Sequence, residues 1–116
     1  MEHQNQYKTI VETLKILAAS LENQKKYLPE FADVQEDVIS SFENAFLLLP
    51  QLIENGRFSN NSIASLLRLY NKAQWCLRNI SEDDFSNEEW NKVREMAKVT
   101  LSFMGEPLDT PDLNLI

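Results

Sequence analysis

Apolar positions recur along this chain at intervals of three and four, the spacing that predicts helices. From about Asn5 to Tyr27, Tyr7, Ile10, Val11, Leu14, Leu17, Ala18 and Leu21 form one stripe to be buried, with Ile16 on the opposite, exposed side. Lys25 and Lys26 lie in the last turn, where cations complement the negative end of the helix dipole. Leu28-Pro29 breaks the pattern, because a residue before proline is driven out of helical geometry. A second helix is expected from Asp33, a capping residue with Glu36 three positions on. Val34, Val38, Phe42, Ala45, Phe46 and Leu49 share one side of it, and Leu47 and Leu48 fill the others. A helix whose last turns are apolar all round is covered from several directions, which makes this one the expected hub. Pro50 ends or kinks it, leaving room for a short turn to Glu54 before Asn55-Gly56 closes the segment.

After the polar link Arg57–Ser62, Ile63, Leu66, Leu67, Leu69, Tyr70, Ala73, Cys76, Leu77 and Ile80 cover half of a third helix. Trp75 falls outside that half, beside Arg68 and near Lys72. Ser86 and Glu89 have the spacing of a reciprocal capping box, and Phe85 and Trp90 that of a hydrophobic staple. Trp90, Val93, Ala97, Leu101 and Met104 then form the stripe of a fourth helix, widened by Met96 and Phe103 and stopped by Gly105. The expected fold is all-α: a four-helix antiparallel bundle over residues 1–105 with a Pro-kinked second helix. An extended C-terminal tail, 106–116, either packs back through Leu108, Leu113, Leu115 and Ile116 or trails from the bundle.

Composition narrows the chemistry. A single cysteine, Cys76, excludes an internal disulfide and fits a reducing compartment. The first twenty residues have neither a basic start nor an unbroken apolar run, and no stretch is long enough to span a bilayer. The expectation is a soluble, cytoplasmic protein. The only histidine, His3, lies near the N-terminus, and Cys76 belongs to the apolar side of the third helix, so no thiol–imidazole pair is expected. No glycine-rich phosphate loop occurs, and the carboxylates do not follow a calcium-loop pattern. Neither catalysis nor a cofactor nor a metal site is therefore expected.

Charge carries the functional expectation. The net charge of −7 argues against nucleic acid or an anionic membrane as partner and favours a basic protein. It is unevenly spread: residues 1–40, 41–80 and 81–116 carry −3, +2 and −6. Asp33, Glu36 and Asp37 surround the start of the second helix, and Glu82, Asp83, Asp84, Glu88 and Glu89 that of the fourth. In an up-down bundle both starts lie at one end, which predicts an acidic pole; a solubility device is the plainer explanation. Trp75, Phe85 and Trp90 are the candidate aromatic anchors beside it.

Three functions fit. An inhibitor or immunity protein capping a basic enzyme needs only a rigid scaffold and an acidic surface that speeds encounter. A regulatory or adaptor module would bind a helix or tail of another protein through an apolar groove. An enzyme would need its carboxylates turned inward, which outward-facing helix starts disfavour. The runs Leu52-Ile53-Glu54-Asn55-Gly56-Arg57-Phe58-Ser59 and Trp90-Asn91-Lys92-Val93-Arg94-Glu95-Met96-Ala97-Lys98 resemble small helical immunity proteins encoded beside bacterial polymorphic or contact-dependent toxins. That resemblance implies neutralisation of a cognate toxin, such as a nuclease, and assigns no particular binding residue.

Overall fold

A computed structural model describes residues 2–115, with side chains from Gln4 to Leu115. Among these residues the chain is all-helical, without a strand: α1 Glu2–Ala18, α2 Leu21–Tyr27, α3 Val34–Phe46, α4 Leu49–Glu54, α5 Asn60–Asn79 and α6 Glu88–Phe103. A 3-10 turn at Leu113–Leu115 ends the tail. The expectations for the side chain of His3 and for Ile116 lie outside the described residues.

The predicted first helix is two helices. Ala19 and Ser20 interrupt it, and the Ser20 hydroxyl caps α2 by accepting from the Asn23 amide. The interruption is stabilised from inside. Gln24, fully buried, donates its side-chain amide to the carbonyls of Ile16, which also accepts from the Ala19 amide, and Leu17 at the end of α1. Its own carbonyl oxygen accepts from Arg94 of α6 at 3.2 and 3.3 Å.

The hub is α1, not the helix around Phe42. Every residue from Ile10 to Ala18 is buried, and α1 touches α2, α3, α4, α6 and the final turn. Ile16, expected in solvent, is 2% exposed because the α2–α3 link and the tail close over it. Conversely, Leu47 is 74% exposed. It is the C-cap of α3, and the chain is re-aimed there into α4, whose first turn accommodates Pro50. The apolar run around Leu47 is thus split between two helices, and one side of the junction stays wet.

Other caps follow their local chemistry. Asp33 accepts from the Glu36 amide at 3.1 Å, as expected, and Ser59 accepts from Ser62 at the start of α5. Gly56 and Gly105 end their segments with φ of 73° and 71°, where a side chain would be strained. The cap of α6 is Asn87 and not Ser86: the Asn87 side chain accepts from the Glu89 amide at 2.9 Å, while Ser86 turns back to Asp84. Phe85 and Trp90 still meet edge to face, with ring centres 5.0 Å apart.

Helix α5 packs on α6 and α6 on α1, through a core containing Leu14, Leu17, Leu66, Leu69, Ala73, Cys76, Trp90, Val93, Ala97 and Leu101. Burying a leucine-sized side chain contributes about 1.5–3 kcal/mol. Leu67 and Leu77, expected on the buried half of α5, and Phe103, expected to widen the stripe of α6, are partly in solvent. The stripes are narrower than half a circumference because each of these helices has neighbours on limited sides. Phe42 and Phe46 of α3 close the opposite flank against Tyr70 of α5, Phe46 stacking on it at 4.1 Å.

Candidate functional site

A groove of about 400 Å3 runs between α3 and the turn that follows α5. Asp33, Glu36, Glu43 and Glu82 line it with Gln35, Ser40, Ile39 and Leu77. A second cleft of about 290 Å3 adjoins it, sharing Asp33, Gln35 and Glu82 and adding Asp83, Phe85, Leu21 and Lys25. The start of α3 and the turn before α6 therefore meet, and five carboxylates converge on two continuous depressions. Glu36, Ser40 and Glu43 share one face of α3 by helical spacing, with Ile39 beside them. Gln35, Ile39, Ser40 and Glu43 were not expected here, although their helical spacing was readable; Leu77 was expected in a buried stripe and Lys25 at a helix end, not beside these carboxylates.

The expected acidic residues do not all arrive there. Asp37 points to a different cleft, shared with Ile16, Tyr27, Leu28 and Leu113. Asp84 is engaged by the cap, accepting from the Asn87 side chain at 2.9 Å. Glu88 is exposed on the first turn of α6. Glu89 is occupied across the helices: its carboxylate pairs with Lys72 at 2.6 Å and Lys92 at 2.7 Å. Hydrogen bonds from these two lysines hold its pKa below the usual carboxylate range.

The aromatic expectations also divide. Phe85, 7% exposed, and Trp90 are buried, so neither projects as an anchor; Phe85 forms a wall of the smaller cleft. Both serve the packing of α6, with the Arg94 guanidinium lying 4.5 Å over the Phe85 ring. Trp75 is 39% exposed on the other side of α5, with the Lys72 ammonium 4.2 Å above its ring. It belongs to the α5–α6 face and not to the acidic groove.

Arg94 fixes the position of the acidic turn. It is 5% exposed and donates to the Phe85 carbonyl at 2.9 Å, to Gln24 and to Asn91. Burial pulls its pKa down, yet a guanidinium remains charged. A buried cation is tolerated here because several oxygens accept from it. Its place inside an otherwise apolar helical face concealed it in the sequence.

A smaller depression of about 200 Å3 lies between α5 and α6, floored by Met96, Val99 and Phe103 and edged by Ser65, Arg68 and Glu95. Among the described residues no group of three His, Cys, Asp or Glu side chains is arranged to hold a metal ion, and no helix is long and apolar enough to cross a membrane. Cys76 is buried, and that burial pushes its thiol pKa up, away from the reactive thiolate. No family model matches the chain, and no curated protein and no solved structure matches it.

Proposed function

We propose that this is a non-catalytic binding protein that receives a basic protein partner in the groove between α3 and the Glu82 turn. The reading rests on one observation: Asp33, Glu36, Glu43 and Glu82 rim a depression whose apolar surface comes from Ile39 and Leu77. Lysine and arginine side chains match that combination. Their methylene stems lie on apolar surface while the charged head reaches the rim. Asp33 caps α3 and Glu43 accepts from the Gln74 side chain at 2.7 Å, so Glu36 and Glu82 are the rim carboxylates free of such contacts among the described residues; they raise the encounter rate with a cationic surface. Within this class, the favoured function is an immunity-type inhibitor, cytoplasmic, capping a toxin enzyme such as a basic nuclease. We read its scaffold as a four-helix antiparallel bundle of α1, α3, α5 and α6, with α4 continuing α3 past Pro50.

The test examines the gene neighbourhood for a basic toxic domain and pairs that domain with the variant Glu36→Gln/Glu82→Gln/Asp83→Asn. The association rate with that domain is expected to fall at least tenfold at low salt, and its salt dependence to flatten. An unchanged rate, or a gene neighbourhood without a basic toxic domain, overturns the inhibitor reading.

A second reading, an adaptor that binds a helix of another protein, is favoured by the apolar depression of Met96, Val99 and Phe103. Val99→Asp separates the two. It abolishes capture in the adaptor reading and leaves the acidic groove untouched.

A further inference from the structure

The C-terminal tail lies across α1, and polar groups hold it there. Glu106 accepts from the Tyr7 hydroxyl at 3.0 Å, and Asp109 pairs with Lys15 at 2.6 Å. The Asp112 amide donates to Glu12 at 2.8 Å, and Glu12 in turn pairs with Lys15 at 3.1 Å. Arg57 stacks 4.5 Å over the ring of Tyr7 and adds positive charge near Glu106. Pro111 is buried, whereas Leu108 and Leu113 remain 51% and 43% exposed. The attachment is thus made by carboxylate contacts, one backbone amide, one proline and the half-buried Leu115, while Leu108 and Leu113 stay partly in solvent. Clefts of about 390 and 320 Å3 border the tail, one against Tyr7, Lys8, Val11 and Arg57, the other against Ile16, Tyr27 and Leu28.

We propose that this surface of α1 is a binding site for an extended, acidic, proline-bearing segment of a partner protein, and that residues 106–115 occupy it in cis. The tail itself shows which chemistry fits. Lys15, Tyr7 and Arg57 select carboxylates, Glu12 takes a backbone amide, and Pro111 is buried where the tail crosses α1. Proline fixes an extended backbone beforehand, so little conformational entropy is lost on docking. A partner segment carrying a bulky apolar residue two positions after the proline would fill the cleft of Ile16, Tyr27 and Leu28 that Leu113 only edges. Because such a segment and the tail compete, the tail sets a threshold for binding. This site is separate from the acidic groove and takes the opposite charge.

A labelled peptide of residues 105–116 tests it by fluorescence anisotropy against full-length chains. Asp109→Lys sets two cations against each other and loosens the tail in cis. That chain is expected to bind the peptide at least tenfold more tightly than the wild type. The same peptide carrying Asp109→Lys is expected to lose this gain, because Lys15 of the site then meets a cation. Equal, weak binding by the wild-type and Asp109→Lys chains overturns the proposal. Hydrogen exchange on the unaltered chain provides a readout independent of any substitution. The amides of 106–115 are expected to exchange at least tenfold faster than those of α6, and equal protection overturns a displaceable tail. A wild-type chain that is dimeric, and becomes monomeric with Asp109→Lys, assigns the surface to the tail of a second copy and also overturns the partner assignment.

Discussion

Charged and polar side chains occupy two settings in this protein. Along the seam of α1 with α2 and α6 they are buried: Gln24 bridges the end of α1 to Arg94, and Arg94 reaches the carbonyl of Phe85. In the groove between α3 and the Glu82 turn and in the cleft beside it they crowd at the surface, and Glu36, Glu82 and Asp83 form no ion pair among the described residues. The first setting is explained by folding, since Gln24 and Arg94 satisfy each other and the buried carbonyls of Leu17 and Phe85. The second is not, since gathered like charges repel. Gln24 and Arg94, which hold the fold together, are thereby separated from Glu36, Glu82 and Asp83, which the fold does not use.

The largest effect expected from this contrast is at Arg94. Arg94→Ala removes the donors to Gln24 and Phe85, leaving a buried amide oxygen and a buried carbonyl without partners. Each such loss costs about 1–3 kcal/mol, so a fall in unfolding free energy of about 3 kcal/mol is expected in urea melts. A loss below about 1 kcal/mol would show that water replaces the guanidinium, and the seam would no longer differ in kind from the groove.

Arg94 also marks where the sequence ran out. Periodicity located the helical segments, and capping chemistry placed Asp33 and the glycine ends, because these depend on residues three or four apart. The burial of Ile16 depends on the tail, and the Gln24 side chain that braces the break at Ser20 is itself held by Arg94. Gln24 and Arg94 are 70 positions apart. No local rule distinguishes such a pair from two solvated side chains. The acidic site was half legible for the same reason. Glu36 and Glu82 were expected at one end, but Ile39, Glu43 and Leu77 joined them only when α3 and α5 were set side by side. Asp37, Asp84 and Glu89 left the set because α3 has two sides, α6 needs a cap and Lys72 crosses from α5.

An intermediate effect belongs to the tail, which lies between the two settings. Burial first, and the hydrogen bond to Glu106 second, push the pKa of Tyr7 up to about 12 from its ordinary value near 10. For Lys15, burial works to lower the pKa, but hydrogen bonds to Asp109 and Glu12 together outweigh it and raise it. A raised tyrosine pKa means that the neutral hydroxyl is favoured in the folded chain. The stability it contributes is complete below pH 10 and is lost as pH rises through about 12. Tyr7→Phe is expected to cost about 1 kcal/mol at pH 7, the usual size of one hydrogen bond. The difference between wild type and variant should shrink between pH 10 and about 12, read from melts of both chains. A difference that stays constant over that range would mean the hydroxyl does not hold Glu106.

The smallest effect is expected in the groove itself, and its smallness is informative. Glu36→Gln/Glu82→Gln/Asp83→Asn removes three negative charges from one end while sparing Asp33, whose side chain caps α3 and contributes about 1 kcal/mol there. Losing Glu36 from the first turn of α3 weakens its interaction with the helix dipole by about 0.3–1 kcal/mol. Relief of repulsion among the gathered carboxylates acts in the other direction by a similar amount. The unfolding free energy should therefore stay within about 0.5 kcal/mol of the wild type in low salt. Any gain should disappear at high salt, where the repulsion is already screened. Destabilisation approaching that of Arg94→Ala would mean that these carboxylates hold the fold together after all. The groove would then be structural, and the distinction between its charges and those of the seam would fail.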